Sequence, residues 1–133
     1  MSSPADEQEL WIRAEPAALA EARQVVDRIA EAVGFDEESR HQIRIAANEA
    51  LTNAVQHGQP CAGRVLLRVV PETGALSVFV RDCGRFTPSM SLPEELPERG
   101  RGLAFIRLLM DEVEILPSRD STVVRMLKRL QRR

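Results

Sequence analysis

Residues Ile43 to Gly58, IRIAANEALTNAVQHG, keep apolar side chains at helical spacing while Glu49, Asn53 and His57 recur at every fourth position. In an α-helix that interval stacks the three on one stripe. Ala46, Ala47, Ala50, Leu51, Ala54 and Val55 back the stripe, so the segment is constrained to be a helix with one packed side and one polar row. Such rows are most often the solvated edge of an amphipathic helix. Here two glycine-bearing segments follow, RDCGRF at Arg81 to Phe86 and RGRGLAFI at Arg99 to Ile106. Their separation lets all three close around one ligand.

A chain of 133 residues suits one domain, 1–133, with its core at about 8–128, and can bury a true core without staples. Its 18 basic and 20 acidic residues, with a pI near 5.7, supply no global field for nucleic acid or an anionic membrane. Cys61 and Cys83 lie in no CxxC or Cys/His spacing, which suggests neither zinc nor a disulfide framework, and reduced thiols are expected. No apolar run approaches the roughly 18 to 20 residues that span a bilayer, and MSSPADEQEL lacks a signal-peptide layout. A cytoplasmic location is the expectation.

Gln8 to Ala14 alternates as a strand, with Leu10 and Ile12 on one side and Trp11 on the other. Pro16 opens a helix in its first turn, and Gly34 closes it. Asp36 caps the next helix, which runs to about Gln56. Arg64 to Val70 and Ala75 to Val80 read as a hairpin joined by PETG, with Asp82 at its exit. From Cys83 to Arg99, Pro88, Pro93 and Pro97 interrupt regular structure, a long loop of the kind that is functional or disordered. Gly102 leads into a short helix with Leu103, Ile106, Leu109 and Met110, and runs at Glu112 to Leu116 and Thr122 to Leu127 form a closing hairpin. The end, KRLQRR, reads as a solvated basic tail.

This order predicts an α/β two-layer sandwich, a mixed, mostly antiparallel sheet with helices on one face. With these elements in place the chain resembles the GHKL ATPase superfamily, of Bergerat-type fold, and within it the anti-sigma factor serine kinases of bacterial partner-switching pathways. The resemblance runs from Trp11 to about Leu127. An N box, NEALTNAVQHG, holds Glu49, Asn53 and His57; a DxG box, DCG, spans Asp82 to Gly84; a GxGL box, GRGL, spans Gly100 to Leu103. Each box alone is weak, and the ordered trio is specific.

The resemblance implies ATP as substrate and Mg²⁺ as cofactor. Mg²⁺ accepts hard oxygen ligands and keeps waters, so Asn53 with phosphate oxygens suffices as its protein ligand. Glu49 has the place of the general base that receives the proton of an attacking hydroxyl. Asp82 accepts a hydrogen bond from the adenine amine, Gly84 lets backbone approach the base, and Thr122 matches a threonine near the adenine pocket. Gly100 and Gly102 ahead of a helix offer N–H groups to phosphate, Leu103 completes the box, and Arg99 and Arg101 add positive charge beside it. His57 is expected in a structural or lid-contact role.

The match departs at Phe86, which stands where many relatives carry a second glycine, and at Thr87, where anti-sigma relatives carry an acidic residue before Pro88. By resemblance the partners are a STAS-type anti-anti-sigma antagonist, phosphorylated on serine, and a sigma factor, with a homodimer typical. The rival is a nucleotide-binding interaction module without kinase activity, which regulates a partner by reversible sequestration. Intact Glu49 counts against it.

Overall fold

The computed structural model describes residues 6–56, 59–84 and 97–131, and for 97–102 the backbone only. The chain runs β1 (Gln8–Arg13), α1 (Pro16–Val33), α2 (Glu37–Gln56), β2 (Arg64–Glu72), β3 (Ala75–Asp82), α3 (Pro97–Leu109), β4 (Glu112–Pro117) and β5 (Thr122–Arg129). The five strands form one sheet in the order β1-β2-β3-β5-β4. Every pairing is antiparallel, so the expected α/β two-layer sandwich has no parallel pair among the described residues.

Local chemistry accounts for the element ends. Pro16 starts α1, where a missing N–H costs nothing, and Gly34 at φ 116° ends it, donating to the carbonyls of Ala30 and Glu31. Asp36 Oδ1 accepts the Ser39 N–H at 2.8 Å, the expected N-cap of α2. Pro71 lies inside the interior strand β2, but β1 pairs only as far as Val69. Its missing donor therefore falls beyond the end of that neighbour.

Alternation along the strands aims Ile12, Val65, Leu67, Val69, Leu76, Val78, Val80 and Met126 into the core. There they meet Val26 and Ile29 of α1, Ile43, Ala47 and Leu51 of α2, and Ile106 of α3. Each large side chain so buried contributes about 1.5–3 kcal/mol. Small residues on the packed side of α2 let it lie close to both neighbours. Asp27 of α1 holds Arg44 of α2 at 2.6 Å and Arg40 at 3.2 Å, which sets the two helices side by side. On the opposite face of the sheet Trp11 is half exposed, and Arg68 stacks over Phe79 at 5.3 Å from the ring centre.

One expectation is corrected at the C-terminal end. Lys128 and Arg129 are not part of a solvated tail, because β5 extends to Arg129 and pairs it with Ala75. Lys128 Nζ donates to Leu109 O at 2.6 Å and to Gln42 Oε1 at 2.8 Å. It caps the last turn of α3 with a cation and ties that helix to α2. Lys128→Met should lower stability by about 1.5–3 kcal/mol, the worth of hydrogen bonds to a charged group. The check is a fall in urea midpoint with an unchanged slope; an unchanged midpoint would count against the cap.

Candidate functional site

The register of β3 with β5 places Asp82 opposite Thr122 and Val80 opposite Val124. All four line one cleft with Ala50, Asn53 and Ala54 of α2, Leu103 and Ile106 of α3, and Ile115 of β4. Asn53 is half-buried, whereas Asp82 and Thr122 are buried polar residues. A buried carboxylate among apolar side chains requires polar partners. Asp82 Oδ1 accepts the Gly84 N–H at 2.7 Å, and the Thr122 hydroxyl donates to Gly84 O at 2.9 Å. The DCG turn is therefore gripped from both sides.

Gly84 is required there by close approach. A Cβ at this position would meet Asp82 Oδ1 and the backbone nitrogen of Gln59, each at 2.9 Å. Backbone cannot yield as a flexible side chain does, so Gly84→Ala should cost about 1–3 kcal/mol, the usual range for overpacking. Its mark would be a lower thermal midpoint, with nucleotide affinity lost more than Lys128→Met loses it. Wild-type stability and affinity in Gly84→Ala would mean that the turn has room to spare.

Of the residues singled out in the sequence, the structure brings together Asn53, Asp82, Gly84, Leu103 and Thr122. Glu49 is half-buried one turn before Asn53 on α2 and does not line the cleft itself. His57, Phe86, Thr87 and Pro88 lie outside the described residues. So do the side chains of Arg99 and Arg101, although their backbone is helical.

The GRGL segment departs from expectation. Gly100 and Gly102 do not precede a helix; they lie within α3, which begins at Pro97. Proline read as a breaker is here an initiator, since at the first helical position it needs no N–H and has a suitable φ. Gly100 lies in the first turn of that helix and Gly102 beyond it.

The second correction concerns the thiols. Cys61 and Cys83 are joined in a disulfide with their Cα atoms 5.0 Å apart. Spacing in the sequence concealed this, because the β2–β3 hairpin returns Cys83 to the loop that follows α2. The Cys83 N–H donates to Gln59 O at 2.7 Å, so the same loop is held by backbone as well.

Sequence reasoning missed the apolar wall of the cleft. The signal was present: Val80 and Val124 lie two residues from Asp82 and Thr122 in strands, hence on the same face. Gln59, which closes on Gly84, had no such signal. The described residues enclose a cavity of only about 10 Å³, room for one water molecule. Leu103 and Ile106 line it from α3.

Residues 12–128 match the histidine kinase-like ATPase domain family, a span that includes every side chain of the cleft. The chain belongs to that family. Membership in the histidine kinase-like ATPase domain family implies a site for ATP. Among similar proteins, the serine-protein kinase RsbW of Bacillus velezensis is 32% identical, over 92% of this chain and 86% of that one. The protein of the same name from Bacillus subtilis strain 168 is 31% identical, over 86% and 81%.

Solved structures agree on the fold of the histidine kinase-like ATPase domain. The RsbU and RsbW domains of Rv1364c from Mycobacterium tuberculosis superpose with a TM-score of 0.73 at 21% identity, covering 95% of this chain and 32% of that one. The histidine kinase domain of a blue-light activated kinase from Erythrobacter litoralis gives 0.56 at 23% identity, covering 86% and 60%. Among the described residues no helix is long and apolar enough to cross a membrane.

Proposed function

We propose that this chain is an ATP- and Mg²⁺-dependent serine protein kinase that also acts as an anti-sigma factor. Its substrate would be a serine of a STAS-type antagonist, and its second partner a sigma factor. The observation that carries the reading is the convergence of Asn53, Asp82 and Thr122, from α2, β3 and β5, on one cleft with the Gly84 turn locked beneath them. Relatives named serine-protein kinase RsbW, about a third identical over most of the chain, support the reaction class.

In this reading the adenine amine donates to the Asp82 carboxylate, which guanine, with a carbonyl there, does not do. Asn53 offers an uncharged side-chain oxygen at the cleft, a fit for Mg²⁺ bound chiefly by phosphates and water. The ion, when bound, neutralises charge on the transferring phosphoryl group. Glu49, one turn away on the same rigid helix, accepts the serine proton as the hydroxyl oxygen bonds to the γ-phosphorus. The bond to the ADP oxygen breaks, and phosphoserine and ADP result. The N–H groups of the first turn of α3, with Arg99 and Arg101, would meet the phosphates. A second copy of the chain would complete a homodimer.

The test pairs calorimetric titration of ATP, ADP and GTP with transfer of labelled γ-phosphate to a purified STAS-domain antagonist. Adenine-selective binding and labelled serine are expected, with transfer abolished on chelation of Mg²⁺. Adenine binding without transfer would favour the non-catalytic interaction module, and no nucleotide binding at all would remove both readings.

A further inference from the structure

We propose that the Cys61–Cys83 bond is a reversible thiol–disulfide exchange site that sets the affinity of the neighbouring cleft for nucleotide. The proposal rests on the ATP reading above. Cys83 stands between Asp82 and Gly84, and Cys61 lies in the loop that leads out of α2, the helix bearing Asn53. One covalent bond thus links the two chain segments that the cleft depends on.

Three further observations bear on it. Both cysteines are half-buried and line an open recess of about 700 Å³ with Trp11, Pro60 and Arg64, so a small dithiol can reach the sulfur atoms. Cys61 opens a tight turn in which Ala62 at φ 52° and Gly63 at φ 79° are both left-handed. Alanine holds that conformation only when its surroundings over-determine it. Here they are the Cys61 and Arg64 backbone pair, at 2.6 and 3.1 Å, the Ala14 N–H donated to Gly63 O at 3.0 Å, and the disulfide. Finally, the Gln59 nitrogen is in close register with Gly84, so movement of this loop acts directly on the adenine turn.

The exchange is balanced with a dithiol as reductant. Its thiolate attacks one sulfur of the bond, forming a mixed disulfide and releasing the other cysteine as a thiolate. The second thiol of the reductant then displaces the remaining cysteine, and the reductant closes into a cyclic disulfide. Two electrons pass to the protein, and the two protons of the dithiol end on Cys61 and Cys83. The released turn at Ala62 relaxes, Gln59 withdraws from Gly84, and the preorganisation of the adenine turn is lost.

Dithiothreitol is the probe, applied to the oxidised full chain. Alkylation after mild reduction should label both cysteines, and the emission of Trp11, the sole tryptophan, should change as the bond opens beside it. Calorimetry should then show Mg-ATP affinity at least about fivefold weaker in the reduced protein, the signature of lost preorganisation. Cys61→Ser with Cys83→Ser should match the reduced form and ignore dithiothreitol. The oxidised and reduced wild-type pair serves alone if that variant does not fold. A bond that never forms under oxidised glutathione, or one that resists excess dithiothreitol in the native protein, would overturn the proposal. Equal affinities in the two states would do so while leaving the ATP reading intact. If neither state binds ATP, the nucleotide reading fails and takes the redox site with it.

Discussion

Glu49→Ala should retain ATP affinity and lose phosphoryl transfer by roughly 10²- to 10⁴-fold, the contribution of a positioned general base. Glu49 lies outside the lining of the cleft, so its truncation leaves the adenine contacts and the Asn53 amide in place. Asn53→Ala acts on the cleft itself. It removes the side-chain oxygen offered to Mg²⁺ and should weaken Mg-ATP binding together with transfer, while Mg²⁺-free nucleotide binding changes less. Single-turnover transfer and calorimetry on both variants separate the two roles. Equal damage to binding and transfer by Glu49→Ala would mean that the carboxylate supports the helix or the nucleotide instead of taking a proton.

Asp82→Asn should weaken ATP binding roughly 10- to 150-fold, the equivalent of about 1.5–3 kcal/mol for a hydrogen bond to a charged group. The amide oxygen still accepts the Gly84 N–H, which holds the turn at 2.7 Å in the native protein. The amide nitrogen, however, is a donor where adenine also presents a donor. Guanine presents a carbonyl at that position, so the ATP-to-GTP preference should shrink even though total affinity falls. Competitive titration with both nucleotides reads this. An unchanged preference would place base selection elsewhere in the cleft.

How far the sequence revealed these features depends on whether their cause is local. Pro16, Gly34 and Asp36 act on their own neighbours, and α1 and α2 begin and end where those residues indicate. Asn53 and Asp82 were legible through boxes whose order reflects a shared fold, Thr122 through the same resemblance, and the cleft assembles the three. Pro97 misled because one residue type both breaks a helix in its interior and starts one at its first position. Lys128 looked like one charge among several, and only the packing of β5 beneath α3 gives it Leu109 and Gln42 as acceptors. Cys61 and Cys83 are 22 residues apart, and no spacing rule reports a distance that a hairpin creates. Such pairings belong to tertiary register, which single-residue preferences do not encode.

The strand order has a bearing on timing. β5, the last strand in chain order among the described residues, lies between β3 and β4 instead of at an edge. During synthesis, which proceeds from the N-terminus, β3 therefore waits with one side unpaired until the residues from Thr122 onward have left the ribosome. Thr122 cannot grip Gly84 before then, and the Lys128 anchor of α3 arrives later still. A nascent chain lacking these residues has the sequence of α1, α2 and the β2–β3 hairpin but no closed Gly84 turn, so the cleft is assembled only once β5 has taken its place beside β3.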